Sequence, residues 1–276
     1  MLFVEERKSS IARGAYKLLD LTFHNTVRSV RKGHRDAVFA ILSNILQTLV
    51  MVGAFYIFMN FFRNFGGSMA IRGDFLLYVM SGIFVFMVHV KALAAVAGAD
   101  GPTSAIMQHL PMTTTVSLIS AALSTLYTQA ISVGAILLGY HLLWTPLEIY
   151  HPVGAIMMVL LAWFSGISAG VVFLAIKPWF PKATGTAQQI YTRFNMFASG
   201  KMFVANMMPA TMVYMFSWNP LFHIIDQGRG YMFINYTPLK TNLEYPITVS
   251  VALLVIGLIG ESQTRKHVSL SWFAGR

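Results

Sequence analysis

The chain contains no cysteine in its 276 residues. That absence excludes disulfides, thiolate metal sites and a cysteine nucleophile. Charge is also scarce, because Asp, Glu, Lys and Arg make up 11% of the residues, against roughly 25% in an average soluble domain. Hydrophobic residues make up 56% of the chain. This composition argues against a soluble globular enzyme.

Acidic residues are the scarcer charged class, with 10 Asp and Glu against 20 Lys and Arg, which gives a net charge of +10. A basic balance is typical of proteins that bind nucleic acid or anionic lipid. A nucleic-acid surface needs many cations on one face, and the overall charge density here is too low for one. No nucleic-acid partner is therefore predicted.

Long stretches of the chain carry no charge at all. Residues 37–62, 101–147 and 149–176 contain no Asp, Glu, Lys or Arg. A helix needs about 20 apolar residues to cross a bilayer core, so we predict an all-α polytopic membrane protein. The predicted spans are residues 38–62, 75–96, 116–143, 152–176, 194–215 and 244–260.

The basic residues predict the orientation of these spans. With a cytoplasmic N-terminus, fifteen Lys and Arg fall in cytoplasmic segments and four in external ones. Because cytoplasmic loops are enriched in Lys and Arg, both termini are predicted to be cytoplasmic. Residues 1–36 form the first predicted unit, an amphipathic interface helix with a basic face that suits the headgroup layer. Residues 37–276 form the second, the six-span transmembrane domain.

Two sequences resemble enzyme motifs. Ser199-Gly200-Lys201 lacks the first glycine and the hydroxyl residue of a P-loop, so no ATP site is predicted in this chain. Gly166-Ile-Ser168-Ala-Gly170 matches the Gly-x-Ser-x-Gly pattern of serine hydrolases, but the last span carries no histidine to act as its base. Gly166 and Gly170 are instead predicted to let two helices pack closely in lipid. The histidines show no metal-ligand spacing, so neither a metal site nor a catalytic residue is predicted.

The segment from Trp218 to Asn235 is too apolar for an ordinary external loop and too interrupted by Pro and Gly to span a membrane. It predicts a pair of re-entrant or interfacial half-helices at a pore mouth. Asp226 and Arg229, three residues apart, are expected to pair on the helix surface. Residues 230–238 are expected to form a loop. Lys201, inside the fifth predicted span, is expected either to face protein or water or to extend to the headgroups.

The segment Asn219-Pro220-Leu221-Phe-His223-Ile-Ile-Asp226-Gln-Gly-Arg229 precedes the last predicted span. It resembles the Asn-Pro-Leu-x-His-x-x-Glu-x-x-Arg motif of membrane subunits of type-2 ABC exporters for capsular polysaccharide, O-antigen and teichoic acid, with Asp226 in place of Glu. The likeness covers most of the chain, including the amphipathic N-terminal helix, the six spans and the basic C-terminus. The capsule branch is the most similar.

This resemblance implies a homodimer in the bacterial inner membrane that docks on two copies of a cytoplasmic ABC ATPase subunit. The ATPase would bind ATP and Mg, so this chain would need no cofactor and would have no enzyme activity of its own. The implied substrate is a lipid-linked polysaccharide. Residues 98–115 are similar to the coupling segment of the family, and residues 217–235 to its external gate.

The resemblance also assigns roles to individual residues. Contacts with the ATPase are expected from Pro102, Met107, His109, Pro111, Arg31, Lys32 and Arg35. The external gate is expected to include Trp218, Asn219, Pro220, His223, Asp226 and Arg229. Candidates for contact with the substrate in the channel are Tyr140, Trp144, Trp163, Trp179, Tyr191 and Lys201.

Three other functions stay open at the level of sequence. One is an ABC exporter subunit for a smaller lipid or a drug. Another is an intramembrane serine protease that uses Ser168. A third is an ion-coupled carrier that uses Lys201, although carriers of that kind often contain internal repeats and the two halves of this chain show none.

Overall fold

The computed structural model describes residue 16 and residues 18–30, 37–64, 74–101 and 113–267. The regular elements within these ranges are all helical. The residues expected to contact an ATPase lie outside the described ranges; they are Pro102, Met107, His109, Pro111, Arg31, Lys32 and Arg35.

The helices follow one another along the chain with short connections. Helix α1 covers residues 18–30. The others are α2 (Ala37–Asn64), α3 (Phe75–Ala97), α4 (Thr114–Leu143), α5 (Pro152–Ile176), α6 (Pro181–Ala198), a 3-10 turn (Ala205–Met207), α7 (Ala210–Phe216), α8 (Pro220–Met232) and α9 (Glu244–His267).

Five helices in the described part of the chain, α2, α3, α4, α5 and α9, are long and apolar enough to cross a membrane. The prediction of an all-helical polytopic membrane protein is confirmed at this level. The prediction of one continuous helix over residues 194–215 is wrong, because α6 ends at Ala198 and α7 begins only at Ala210. The break has a local cause: Gly200 adopts a φ of 70°, and Pro209 cannot continue a helix that precedes it.

The two ends of the last predicted elements also differ from expectation. Helix α9 continues to His267, seven residues beyond the predicted end of the sixth span. Charged residues bounded the prediction, but a helix can extend past the apolar layer. Helix α8 runs to Met232, so the start of the expected loop over residues 230–238 is helical.

Helices α3 and α5 form the centre of the bundle and approach closely because α5 presents glycines to α3. A Cβ on Gly166 would lie 2.3 Å from the carbonyl oxygen of His89, and one on Gly170 would lie 2.8 Å from Cβ of Val96. On the other side of α5, a Cβ on Gly257 of α9 would lie 2.9 Å from Val171. Small residues of this kind permit the dense packing on which helix association in lipid depends.

Side-chain contacts define the two ends of the bundle. At the Thr264 end, the Thr264 hydroxyl donates to the Ala175 carbonyl (3.1 Å), and Thr114 donates to Glu261 (2.6 Å). Helix α1 lies at this end too, since the Ser120 hydroxyl of α4 donates to the Thr22 carbonyl (3.1 Å). At the opposite, Asp74 end, the Tyr140 hydroxyl donates to Asp74 (2.5 Å). The first and last described helices therefore meet at one end of the molecule.

Candidate functional site

A cluster of polar side chains, which we call the polar junction, lies where α6, α8 and the segment after α6 meet. It consists of Asn195, Lys201, Asn219, Asp226 and Arg229, all of which are buried. These residues come from three separate parts of the chain, and each has a distinct set of partners.

Asn219 both begins α8 and connects it to α6. Its side-chain oxygen accepts from the backbone NH of Leu221 (3.0 Å), which is the bonding expected of an N-cap residue. Pro220 follows at the first helical position, where its missing NH costs nothing. The Asn219 amide nitrogen donates to the Asn195 side-chain oxygen (2.9 Å) and to the Ala198 carbonyl (3.0 Å). The Asn-Pro pair of the motif therefore fixes the start of α8 against the end of α6.

Gly200 turns the chain at the end of α6. Its φ of 70° lies in the left-handed region, where a Cβ is strained. A Cβ at this position would also lie 2.4 Å from the Phe222 ring. Both the backbone conformation and the close ring therefore require glycine.

Arg229 holds the turned segment in place. Its Nη1 donates to the carbonyls of Gly200 (3.2 Å) and Phe203 (2.7 Å), and its Nη2 donates to the Lys201 carbonyl (2.5 Å). The guanidinium carbon lies 4.0 Å from the centroid of the Tyr78 ring, within the range of a cation–π contact. Arg229 is 1% exposed, so it replaces, for three carbonyls, the hydrogen bonds that a continuing helix would have supplied.

Lys201 points into the protein, which is one of the two orientations that the sequence left open. The residue is 2% exposed. Its Nζ lies 3.4 Å from the centroid of the Phe86 ring and 4.5 Å from that of Phe55, and it has no hydrogen-bond acceptor. The ammonium group is therefore held by two aromatic rings and by no counter-charge.

Asp226 and Arg229 do not form the expected surface pair. Both are buried, and no ion pair joins them among the described residues. Asp226 instead accepts hydrogen bonds from the Tyr236 hydroxyl and from Thr241 (2.8 Å). Burial, together with the Asp226 carboxylate, raises the pKa of Tyr236 above its ordinary value, so this phenol is a hydrogen-bond donor. The expected pair fails because this face of α8 is buried against other backbone and side-chain partners.

His223 connects α8 to both neighbouring segments. Its Nδ1 accepts from the backbone NH of Asn242 (3.1 Å), so the neutral ring carries its proton on Nε2, which donates to the Ser217 carbonyl (2.8 Å). Trp218, by contrast, is 55% exposed, and its ring packs at 5.4 Å from that of Phe194. The expected gate residues thus divide into buried connectors and one exposed aromatic residue.

A second polar contact joins α3, α5 and α6. His89 Nδ1 lies 2.8 Å from the Ser165 hydroxyl, and His89 Nε2 lies 3.1 Å from the Tyr191 hydroxyl. His89 and Ser165 are buried. Ser168, the candidate nucleophile, donates to the Phe164 carbonyl of its own helix (2.9 Å) and is buried. Its hydroxyl is thus engaged with backbone, which does not favour a protease.

The structure does not bring the aromatic channel candidates into one cluster. The Trp163 indole donates to the Ala122 carbonyl (2.9 Å) and connects α4 to α5. The Trp179 indole donates to Thr264 (3.0 Å) at one end of the bundle, whereas Tyr140 lies at the Asp74 end with the exposed Trp144 just after it. Within one copy of the chain, they do not outline a single path.

Several residues of the site were not found from the sequence. Tyr78, Gly82 and Asn195 were passed over, as was Tyr236. Gly82 gave a signal, since it is a small residue inside an apolar run, and a Cβ there would lie 2.9 Å from Nη2 of Arg229. Tyr78 gave none, because a tyrosine near a span end is ordinarily an interface residue.

The polar junction can hold and position backbone. Its side chains bind carbonyls, amides and hydroxyls, and the described part of the chain contains no group of three His, Asp or Glu residues that could hold a metal ion. No protein-family model matches the sequence, and a comparison with curated proteins finds no significant match.

Proposed function

We propose that this chain is the transmembrane subunit of an ATP-driven ABC exporter in a bacterial inner membrane. The proposed cargo is a lipid-linked polysaccharide of the capsular type. The observation that carries the proposal is the course of α8, which begins inside the helix bundle at the Asn-Pro pair and ends at the Asp74 end.

Contacts with α5 support this course. A Cβ on Gly228 would lie 3.5 Å from Cβ of Met158, and one on Gly154 would lie 2.4 Å from the Tyr231 ring. Helix α8 is therefore antiparallel to α5, and the backbone NH of His151 donates to the Tyr231 carbonyl (2.8 Å) at the start of α5. At about 1.5 Å per residue, a helix of this length extends roughly 20 Å into a hydrocarbon core of about 30 Å.

Helix α7 would enter from the same end and make a re-entrant pair with α8. The segment before α7 lies beside the segment after α8, because Asn206 donates to the Thr237 carbonyl (2.8 Å) and Lys240 donates to the Met208 carbonyl (2.8 Å). The chain thus goes inward through α7 and returns through α8. Non-helical backbone at such depth is tolerated only against protein or a water-filled cavity, which suits the external gate of a pore.

The broken segment would also account for six crossings with five continuous spans. Helix α6 starts near the Thr264 end, where Lys177 donates to the Ala97 carbonyl (3.3 Å). The chain reaches the other end by residues 206–208, so α6 and the segment after it would cross together. An even number of crossings agrees with the positive-inside expectation that both termini are cytoplasmic.

The docking place for an ATPase would be the Thr264 end. The described residues on either side of the proposed coupling segment lie there, because Thr114 contacts Glu261 and the Asp100 NH donates to the Ser117 hydroxyl (3.1 Å). In this proposal, ATP-driven closure of two partner subunits moves the coupling segment, and the movement opens a path between two copies of this chain. No residue of this chain performs bond chemistry.

The experiment is to co-express the full chain with the ATPase encoded in the neighbouring reading frame and to purify through a tag on this chain. We expect a complex with two copies of each subunit. Met107→Glu, in the proposed coupling segment, should release the ATPase. Leu143→Glu, which places the same charge at the exposed Asp74 end of α4, should not. Failure of the wild-type chain to retain the ATPase would overturn the proposal.

The cargo is tested separately by disrupting the chain in the cell. We expect polysaccharide to accumulate in the cytoplasm and the surface capsule to disappear. An unchanged capsule together with new drug sensitivity would replace this cargo by a smaller lipid or a drug, while the exporter class would stand on the complex with the ATPase.

A further inference from the structure

A cavity of about 480 Å³ lies between α4 and α5, away from the polar junction. Its floor includes Phe84 and Val85 of α3 and Ile225 and Gly228 of α8. The walls are side chains of α4 and α5, and the lining is almost entirely apolar. One helix of the proposed gate therefore forms part of the cavity floor.

The cavity opens sideways from the bundle. Ala130 and Gly134 of α4 and Ile156 of α5 line it and are exposed. A Cβ added to Gly134 would meet nothing within 4 Å. Towards the Thr264 end, the bond from the Trp163 indole to the Ala122 carbonyl joins the two walls. The result is a groove with a floor, two walls and a closed lower end.

Water does not suit this groove. A volume of about 480 Å³ corresponds to roughly 16 water molecules at about 30 Å³ each, and a buried water needs two to four polar partners. The polar lining side chains are Ser81 and Gln129. The Ser81 hydroxyl already donates to the Tyr78 carbonyl (2.7 Å). Gln129 donates to Asn44 (3.1 Å) and leaves only its Oε1 without a partner.

Hydrocarbon does suit the groove. Both walls belong to helices that are long and apolar enough to cross a membrane, so the groove opens towards bilayer lipid. Large apolar side chains such as Leu138 and Met157 are exposed on the same two helices, as expected of a lipid-facing surface. Apolar cavities of this kind stay free of water and take up apolar molecules.

We propose that the groove binds one acyl chain of a bilayer phospholipid, which packs against α8 through Ile225, Gly228 and Met232. The chain fills the space between α4 and α5 and supports the outer part of α8 from the lipid side. This site does not depend on the transported cargo or on the ATPase, so it stands or falls separately from the proposed function.

The test is native mass spectrometry of the full chain purified from membranes in a mild detergent. Gly134→Phe and Ala130→Leu fill the groove from its exposed rim. Gly139→Phe is the matched control, because Gly139 lies on the same helix, also has nothing within 4 Å of a built Cβ and does not line the groove. We expect one retained phospholipid on wild type and on Gly139→Phe, and at least tenfold lower retention on the two filling variants.

A second measurement keeps the proposal falsifiable if a filling variant loses lipid by misfolding. Adding phospholipid to delipidated protein should raise the Tm of wild type and Gly139→Phe but leave the Tm of a folded filling variant unchanged. Equal retention in all variants, or no retained phospholipid on wild type, would overturn the proposal. A filling variant that turns a lipid-free dimer into monomers would instead make the groove an interface between two copies.

Discussion

Gly200 is the single residue on which the turn after α6 depends. Its positive φ and the nearby Phe222 ring both exclude a side chain. We expect Gly200→Ala to lower the free energy of unfolding by about 1–3 kcal/mol. Gly185→Ala is the control, because Gly185 lies within α6 with open space around it, and the change should stabilise the helix by about 0.5–1 kcal/mol. Denaturation in detergent measures both, and equal effects would contradict this account of the turn.

Lys201 tests whether a buried charge is kept for stability or for transport. Its ammonium group contacts two rings and no acceptor, and a cation–π contact is worth about 2 kcal/mol when desolvated. Removing an ion from water costs several kcal/mol, so we expect Lys201→Met to unfold at no lower temperature than wild type. Under the proposed function, transport should nevertheless fall.

The control for this substitution is Lys182→Met at an exposed position of α6, which should change neither property. A thermal melt and a measurement of surface polysaccharide separate the outcomes. A Lys201→Met protein that is clearly less stable would mean that the charge serves the fold.

At the scale of elements, the amide pair Asn195–Asn219 carries the connection between α6 and α8. Asn219→Ala removes this bond and the N-cap, which is worth about 1 kcal/mol. A double-mutant cycle with Asn195→Ala should show a coupling of about 1 kcal/mol, since residues in contact are not additive. The cycle of Asn219→Ala with Thr145→Ala, at the Asp74 end, should be additive. Additivity of the asparagine pair would mean that the bond does not hold the two helices together.

The long helices could be predicted from composition alone. The expected spans 152–176 and 75–96 agree with α5 and α3 to within one residue. Prediction was this close because lipid-facing helices are apolar over long, uncharged runs that end at polar residues. The break after Ala198 could not be predicted in the same way, since residues 202–216 are as apolar as a span. The partners that fix the break, Phe222 and Arg229, lie far along the chain.

The candidate site was predictable where a motif fixed the local geometry. Asn219 and Pro220 begin a helix by rules that depend only on neighbouring residues. The expected pair of Asp226 and Arg229 was wrong because spacing along a helix does not reveal which face is buried. The carbonyls that Arg229 binds exist as free acceptors only because the chain turns at Gly200. Such partners follow from tertiary structure and not from local sequence.

At the scale of the whole molecule, the proposed orientation can be tested with a chain that is naturally free of cysteine. Leu143→Cys and Leu239→Cys place thiols at exposed positions at or near the Asp74 end. Lys182→Cys places one at the start of α6, near the other end. A membrane-impermeant maleimide should label the first two in cells whose inner membrane is intact and the third only after permeabilisation. The reverse pattern would invert the molecule in the membrane.

The buried partners of Arg229 also impose an order on biogenesis. An unsatisfied polar group in hydrocarbon costs several kcal/mol, so the segment from Ser199 to Met232 cannot wait alone in lipid. Its surroundings, Tyr78 and Gly82 on α3 and Met158 on α5, are synthesised earlier.

We therefore expect helices α2–α5 to insert first and to act as a template on which the later segment settles. Nascent chains released after residue 216 should leave residues 199–216 open to protease, whereas chains released after residue 243 should protect them. Early protection in the shorter chains would mean that this segment enters the bilayer without its template.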